Sequence, residues 1–355
     1  MASSGLNLPL AGISCPIPKN NFDCILLSHG GGGRLTQKLI REVFIPAFNN
    51  SQLAQQHDGA TFRCTESTMA ITTDSFVVDP VFFPGGNIGD LAINGTVNDL
   101  VCCGAKPIYL TVGFIIEEGF SIADLQQIVD SMSAAAEKAG VKVVAGDTKV
   151  VDRGKCDKIF INTSGVGAVL PHVHISPSSA RLGDVVICSG RIAEHGICIL
   201  STRESLGFET TISSDTTSLN AMVEDLLSQV NSVKVLRDPT RGGVATTLNE
   251  IAESSNVHIE LQENSIPIAT EVEAACDLLG IDPLYVANEG VMLVIVPQHQ
   301  ANEAVRILRN HPEGVDAQVI GRIVEEGKAI VTLKTQYGGT RIVDMLSGEQ
   351  LPRIC

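Results

Sequence analysis

The stretch Thr72–Leu100, TTDSFVVDPVFFPGGNIGDLAINGTVNDL, leaves the chain few options. The apolar run Met69–Thr73 leads into it and reads as a strand ending at Asp74. Pro80, Pro84, Gly85 and Gly86 then make a crossing that a helix or a central strand would not tolerate. Ile88, Leu91, Ala92, Val97 and Leu100 follow with helical spacing. One end of this strand–loop–helix unit carries Asp74; the other carries Asn94, Asn98 and Asp99. Where strand and helix pack, these oxygen ligands meet at a point, which suits Mg²⁺ shared with phosphate oxygens. The plainer alternative is a strand-end Asp and a solvated Asn-Asp pair.

Length and composition narrow the setting. A chain of 355 residues exceeds one ordinary core, so two domains are expected. With 44% hydrophobic and 18% charged residues it reads as globular rather than disordered. No Trp, 4% aromatics and a net charge of −15 argue against nucleic acid, whose phosphates such a surface repels. The start, MASSGLNLPLAGIS, lacks a basic region and a long apolar core, so no secretory signal is expected. No apolar run approaches the ~18 residues of a membrane helix. None of the ten Cys forms a C-x-x-C pair, and the set reads as reduced, mostly buried thiols of a cytoplasmic protein.

Taken in order, residues 1–22 read as a leader. Gly30, Gly31, Gly32 and Gly33 then precede helical spacing at Leu35, Leu39, Ile40, Val43 and Phe44. Glycines before a helix let backbone N–H groups approach a phosphate; a plain loop is the alternative. Residues 57–73 read as a hairpin with Asp58 at its start, either a turn residue or a further carboxylate near Asp74. After a strand over Pro107–Ile116, Ser121 caps a helix that Gly140 closes. The strand VKVVAG then delivers Asp147, Thr148 and Lys149, which repeats the Asp74 pattern; Lys149 either neutralises phosphate or is simply solvated.

A Pro/Ser-rich segment near 171–184 separates a first domain, 23–171, from a second, 180–345. The second half contains a polar Ser/Thr tract at 210–218 and a turn at Gly242-Gly243 flanked by Asp238 and Arg241. Its run PLYVANEGVMLVIVP reads as a long apolar strand interrupted at Asn288-Glu289-Gly290. A carboxylate there is costly unless paired or used, a surface turn being the other reading. Both halves share a rhythm of strands, a glycine turn and a helix, which suggests two related α/β units. The tail 346–355 ends on Cys355, where a thiolate nucleophile could be carried on a flexible arm.

The ordered set DPVFFPGGNIGDLAINGTVNDL, AGDTKVV, DPTRGGVATTLNE, VANEG and the final PRIC resembles the HypE family. These are the carbamoyl dehydratases of nickel-iron hydrogenase maturation, in the superfamily of aminoimidazole ribonucleotide synthetase. The resemblance runs from about Leu26 to Cys355. It implies a two-domain PurM-like α/β (α+β) fold that binds ATP with Mg²⁺ and forms a homodimer through its N-terminal domains. Asp58, Asp74, Asp99 and Asp147 are then the metal-binding carboxylates, with Asn98 beside them. Gly30–Gly33 would cover the phosphates, and Gly146, Thr148, Asp238 and Arg241 would complete the nucleotide site. Cys355 would receive a carbamoyl group from HypF and later pass a cyano group to iron on HypC–HypD. Glu289 is the first candidate for the base and Lys149 the second. A selenophosphate- or purine-type kinase or synthetase of the same superfamily, or a non-enzymatic maturation scaffold, are the rivals.

Overall fold

A buried helix joins two sheets. The computed structural model describes residues 33–45, 55–64, 67–203 and 211–346; the leader, Gly30, Gly31, Gly32 and Cys355 lie outside them. Helix α1 (Arg34–Leu39) precedes the first sheet. That sheet contains β1 (Ala60–Cys64), β2 (Ser67–Phe76), β5 (Ala105–Glu117), β6 (Lys142–Val151) and β7 (Ile159–Val169), in the order β1-β2-β7-β5-β6. The short pair β3 (Phe82–Phe83) and β4 (Gly86–Asn87) occupies the Pro/Gly crossing. Helix α2 spans Ile88–Cys102 and α3 spans Ile122–Ala139. β5 and β6 run parallel because α3 carries the chain back across the sheet. Ser121 caps α3 by accepting from Asp124 N, and Gly140 ends it in the left-handed region at φ +69°.

The second sheet has the order β14-β13-β10-β12-β8-β11-β9. Its strands are β8 (Asp184–Cys188), β9 (Val235–Arg237), β10 (Val257–Gln262), β11 (Leu293–Pro297), β12 (Gln318–Glu326), β13 (Ile330–Lys334) and β14 (Thr340–Ile342). Helices α4 (Glu194–Arg203), α5 (Asn220–Gln229), α6 (Gly243–Ser255), α7 (Thr270–Leu279) and α8 (Ala301–Leu308) complete this half. Among the described residues no helix is long and apolar enough to cross a membrane.

Helix α2 is the axis of the arrangement. Asn87 and Asp90 form a capping box at its start. It packs on β2, β5 and β7 on one side and on β9 and α5 on the other. A helix covered all round needs apolar or small residues on every face, as Ile88, Leu91, Ala92, Ile93, Gly95, Val97 and Leu100 provide.

Three expectations need correction. β2 runs past Asp74 to Phe76, and β6 runs past Asp147 to Val151, so neither carboxylate ends its strand. Asn288-Glu289-Gly290 does not interrupt a strand, since β11 begins only at Leu293. Asn288 is the reason: its side chain donates to Pro239 O and Val286 O and accepts from Ala193 N, which pulls the backbone into a turn.

Candidate active site

Asp58, Asp74 and Asp99 from the first half and Arg237, Asp238 and Arg241 from the second line one cavity of about 800 Å³. Asp58 sits at the entry to the β1–β2 hairpin, Asp74 near the end of β2, and Asp99 in the last turn of α2. Asp238 follows β9 directly. One carboxylate oxygen each from Asp58, Asp99 and Asp238 lies within 4.8 Å of the others. Thr72 Oγ1 stands 2.7 Å from Asp99 Oδ2 and 2.9 Å from the Asp58 carbonyl oxygen. Arg237 Nε is 2.7 Å from Asp58 Oδ2, while its Nη2 donates to Glu250 Oε2 at 2.6 Å. Glu250 in turn accepts from Gln37 of α1 at 2.6 Å. The helix after the glycine run is therefore tied into the wall of the acidic cavity.

Burial and mutual repulsion govern the charges. Burial, then the charges of Asp238, Asp74 and Asp58, push the Asp99 carboxyl well above the usual range. Burial and the Asp58 charge take Asp238 up to about 7. Burial also raises Asp74, against the opposing charge of Arg241. Asp58 moves the other way: burial works to raise it, but the Arg237 charge and His57 outweigh that and hold it low. Three converging oxygen donors, two of them destabilised as anions, fit a hard divalent cation, which would restore ionised carboxylates.

Glu289 is not among the residues lining this cavity; it is 4% exposed, with Oε1 buried and without a hydrogen-bond partner among the described residues. Burial, then the charges of Asp215, Asp238 and Asp74, raise it well above the carboxylate range, while Arg241 opposes them. Asn98 does not line the cavity. Its amide donates to Thr217 O at 3.0 Å and accepts from Leu219 N at 2.8 Å, so its hydrogen bonds pin the Ser/Thr tract against α2. Asp147 is a larger departure: it does not join the other carboxylates within the chain. Its register partner Gly113 shares a face of the sheet with Tyr109 and Ile115, whereas Leu110 and Val112 point into the core with α2. Three strand spacings, roughly 14 Å, also separate β6 from β2. Lys149 shares this open face and pairs with Asp147 at 2.8 Å. The Lys149 hydrogen bond and the Thr148 N–H hold the Asp147 carboxyl below its usual range. Gly146 has a local reason to be glycine, since a Cβ there would meet Val112 O at 2.7 Å. Among the described residues the clustered carboxylates are Asp58, Asp99 and Asp238; of the two others expected there, Asp74 lines the same cavity outside the cluster and Asp147 lies away from it.

Family models describe the two halves separately. Residues 56–169 match the AIR synthase related protein, N-terminal domain, and residues 181–334 match its C-terminal domain. The carbamoyl dehydratase HypE of Cupriavidus necator is 51% identical over 330 residues, covering 93% of this chain and 94% of the relative. The chain belongs to the HypE family of carbamoyl dehydratases. It is accordingly an enzyme, and the resemblance carried by its ordered motifs is borne out. A crystal structure of a HypE–HypF complex aligns with TM-score 0.83 at 48% identity, over 87% of this chain and 99% of the other. The hydrogenase maturation protein HypE in complex with ATP aligns with TM-score 0.79 at 47% identity, over 94% and 100%. The two-domain PurM-like α/β fold expected of a HypE-family chain is the one observed.

Sequence reasoning passed over Arg237, Glu250, Thr72 and Asp215. Arg237 carried a signal: an arginine beside an aspartate at the end of an apolar strand implies a buried charge with a buried partner. Asp215 carried none, because a carboxylate inside a Ser/Thr tract reads as solvated.

Proposed function

We propose that this enzyme uses ATP and Mg²⁺ to dehydrate an S-carbamoyl group on Cys355 to a thiocyanate, the source of the cyanide ligand on hydrogenase iron. The supporting observation is the carboxylate cluster, with Asp238 buried and Asp58 and Asp99 half-buried, together with the position of the tail's root. Arg34 N donates to Leu346 O at 2.9 Å, two residues before Thr36, which lines the acidic cavity. Nine residues follow Leu346. They can span at most roughly 30 Å when fully extended, a reach the reaction needs to carry the last sulfur to the carboxylates.

A primary S–CO–NH₂ group loses water poorly because its oxygen is a poor leaving group. Transfer of the γ-phosphoryl group to that oxygen, with loss of one N–H proton, converts it to a phosphate ester. Removal of the second N–H proton then expels phosphate and forms S–C≡N. The products are thiocyanate, ADP and inorganic phosphate, and the lost oxygen leaves in the phosphate. Asp58, Asp99 and Asp238 would hold Mg²⁺, which when bound neutralises phosphate charge. Arg241 and Asp74, which line the cavity, flank the phosphates, and the cover that the family resemblance assigns to Gly30–Gly33 lies, but for Gly33, outside the described residues. Glu289 takes the nitrogen protons. Its raised pKa makes it a stronger base once ionised, and its unpartnered oxygen is available to accept.

Asp147, Thr148 and Lys149 enter through assembly. All of β6 from Lys142 to Val150 is exposed, with Val143, Val144 and Val150 at 46%, 56% and 68%, and the strand is a sheet edge. An open apolar edge of this kind favours pairing with another chain. A homodimer through the first sheet covers it and brings Asp147 and Lys149 of one copy toward the nucleotide site of the other. Lys149 is then a phosphate-charge stabiliser and the second candidate base. HypF supplies the carbamoyl group and HypC–HypD receives the cyano group, in line with the relative solved with HypF.

The deciding experiment is the mass of the C-terminal peptide after incubation with ATP and the carbamoyl donor. Loss of one water from the carbamoylated peptide is expected, and its absence with ATP bound overturns the reading. Cys355→Ala should bind ATP normally yet form no thiocyanate. Glu289→Gln should bind ATP and stall before dehydration; normal turnover in that variant removes Glu289 as the base.

A further inference from the structure

The Ser/Thr tract between α4 and α5 is built around a half-buried acid that the proposed chemistry does not use. Asp215 Oδ1 accepts from Glu289 N at 3.1 Å, and Oδ2 accepts from Gly290 N at 3.0 Å. Gly290 has to be glycine here, because a Cβ would lie 1.9 Å from the Asp215 carbonyl oxygen. The flanking residues fix the tract from both sides. Ser214 N donates to Pro84 O at 2.8 Å, and the Ser214 hydroxyl lies 2.7 Å from His195 Nδ1. Lys138 of α3 donates to Thr217 Oγ1 at 2.6 Å, and Asn98 of α2 donates to Thr217 O. The tract is thus clamped to both halves of the molecule, with Asp215 gripping the turn that carries Glu289.

We propose that Asp215 is the positioning residue of the dehydration step: it seats the Glu289 turn by its two N–H groups and uses its own negative charge to keep Glu289 basic. The inference rests on Glu289 acting as the base. Two backbone donors could be satisfied by a neutral oxygen, such as an Asn side chain or a carbonyl. A carboxylate held partly out of water is costly, and burial, with the Glu194 charge adding to it, takes Asp215 up to about 7 against the Glu289 and Gly290 N–H groups that favour its anion. What the carboxylate adds over a neutral acceptor is its charge next to Glu289. The groups bearing on Glu289 are Asp215, Asp238 and Asp74, which raise it, and Arg241, which lowers it. Asp215 is the strongest of these charges and lies outside the carboxylate cluster, so its effect can be removed without touching the cluster.

The test is single-turnover dehydration of the carbamoylated full-length protein, with Mg-ATP affinity measured in parallel by calorimetry. Asp215→Asn should leave Mg-ATP affinity unchanged, slow dehydration by about tenfold or more, and move the acid limb of the rate profile to lower pH. Asp215→Glu keeps the charge and should retain the original acid limb, even where its longer arm slows the plateau rate. If both variants lose ATP affinity and melting temperature together, Asp215 is structural and the inference is overturned. An Asp215→Asn enzyme with unchanged rate and pH profile also overturns it, provided Glu289→Gln stalls in the same assay. Normal dehydration by Glu289→Gln overturns the base assignment itself, and the seat with it.

Discussion

Asp74 and Asp147 look alike in the sequence and end up in opposite environments. Each follows an apolar run in the first half, and each suggests a metal ligand. Asp74 lines the acidic cavity, where burial raises its pKa. Asp147 stands in water on the other face of the same sheet, where a Lys149 hydrogen bond lowers its pKa. The first belongs to a site that the chain closes by folding. The second belongs to a surface strip that, in our reading, joins a site only through a second copy. A carboxylate's surroundings, rather than its sequence context, decide whether it has been made expensive enough to need a cation.

That contrast can be tested, and the largest effect should fall on the pocket. Arg237→Ala leaves the half-buried Asp58 and Glu250 without their shared cation, and should cost ~3 kcal/mol of stability, read as a shift in the denaturant midpoint. A small loss would mean that water already reaches the pocket. The pH dependence of stability comes next. The Asp238 carboxyl rises from the ordinary 3.8 to about 7 in the folded protein, so between these limits the folded state binds the extra proton. The contribution of Asp238 to stability without divalent cation should therefore be fully present below 3.8 and decline as pH rises toward about 7, opposite in sign to that of Asp58. Mg²⁺ should restore it at the upper end, and a melting temperature indifferent to Mg²⁺ above pH 7 would argue against the cluster as a cation site. Asp99→Asn should then weaken Mg-ATP binding about 10–100-fold while leaving the oligomeric state untouched.

The strip should give the smaller and conditional effects. Asp147→Asn should weaken Mg-ATP binding by a few-fold; unchanged affinity would take it out of the nucleotide site. Val144→Lys, on the open edge of β6, should shift sedimentation toward monomer and reproduce the Asp147→Asn loss without altering the cluster. Should Val144→Lys stay dimeric, the surface that joins two copies lies elsewhere.

Much of the fold was readable because its cues are local. Ser121 and Gly140 bound α3 as a cap and a left-handed stop must. The spacing of Ile88, Leu91, Ala92, Val97 and Leu100 gave α2 correctly. The site was readable in part. Asp58, Asp74, Asp99, Asp238 and Arg241 do converge on one cavity. Asn98 and Asp215 could not be placed, because their partners lie 119 to 191 and 74 to 75 residues away in sequence, respectively.

By itself the sequence determined most of the strand and helix segments, which carboxylates stand beside turns, and that position 355 is a cysteine. Tertiary structure decided which carboxylates meet, that Asp238 rather than Asp147 stands in the cluster, and that a polar tract holds the Glu289 turn. The physical reason is parity. Alternation along a strand assigns neighbouring residues to opposite faces, but what covers each face is set by elements far away in the chain, and burial fixes the charge on every acid there.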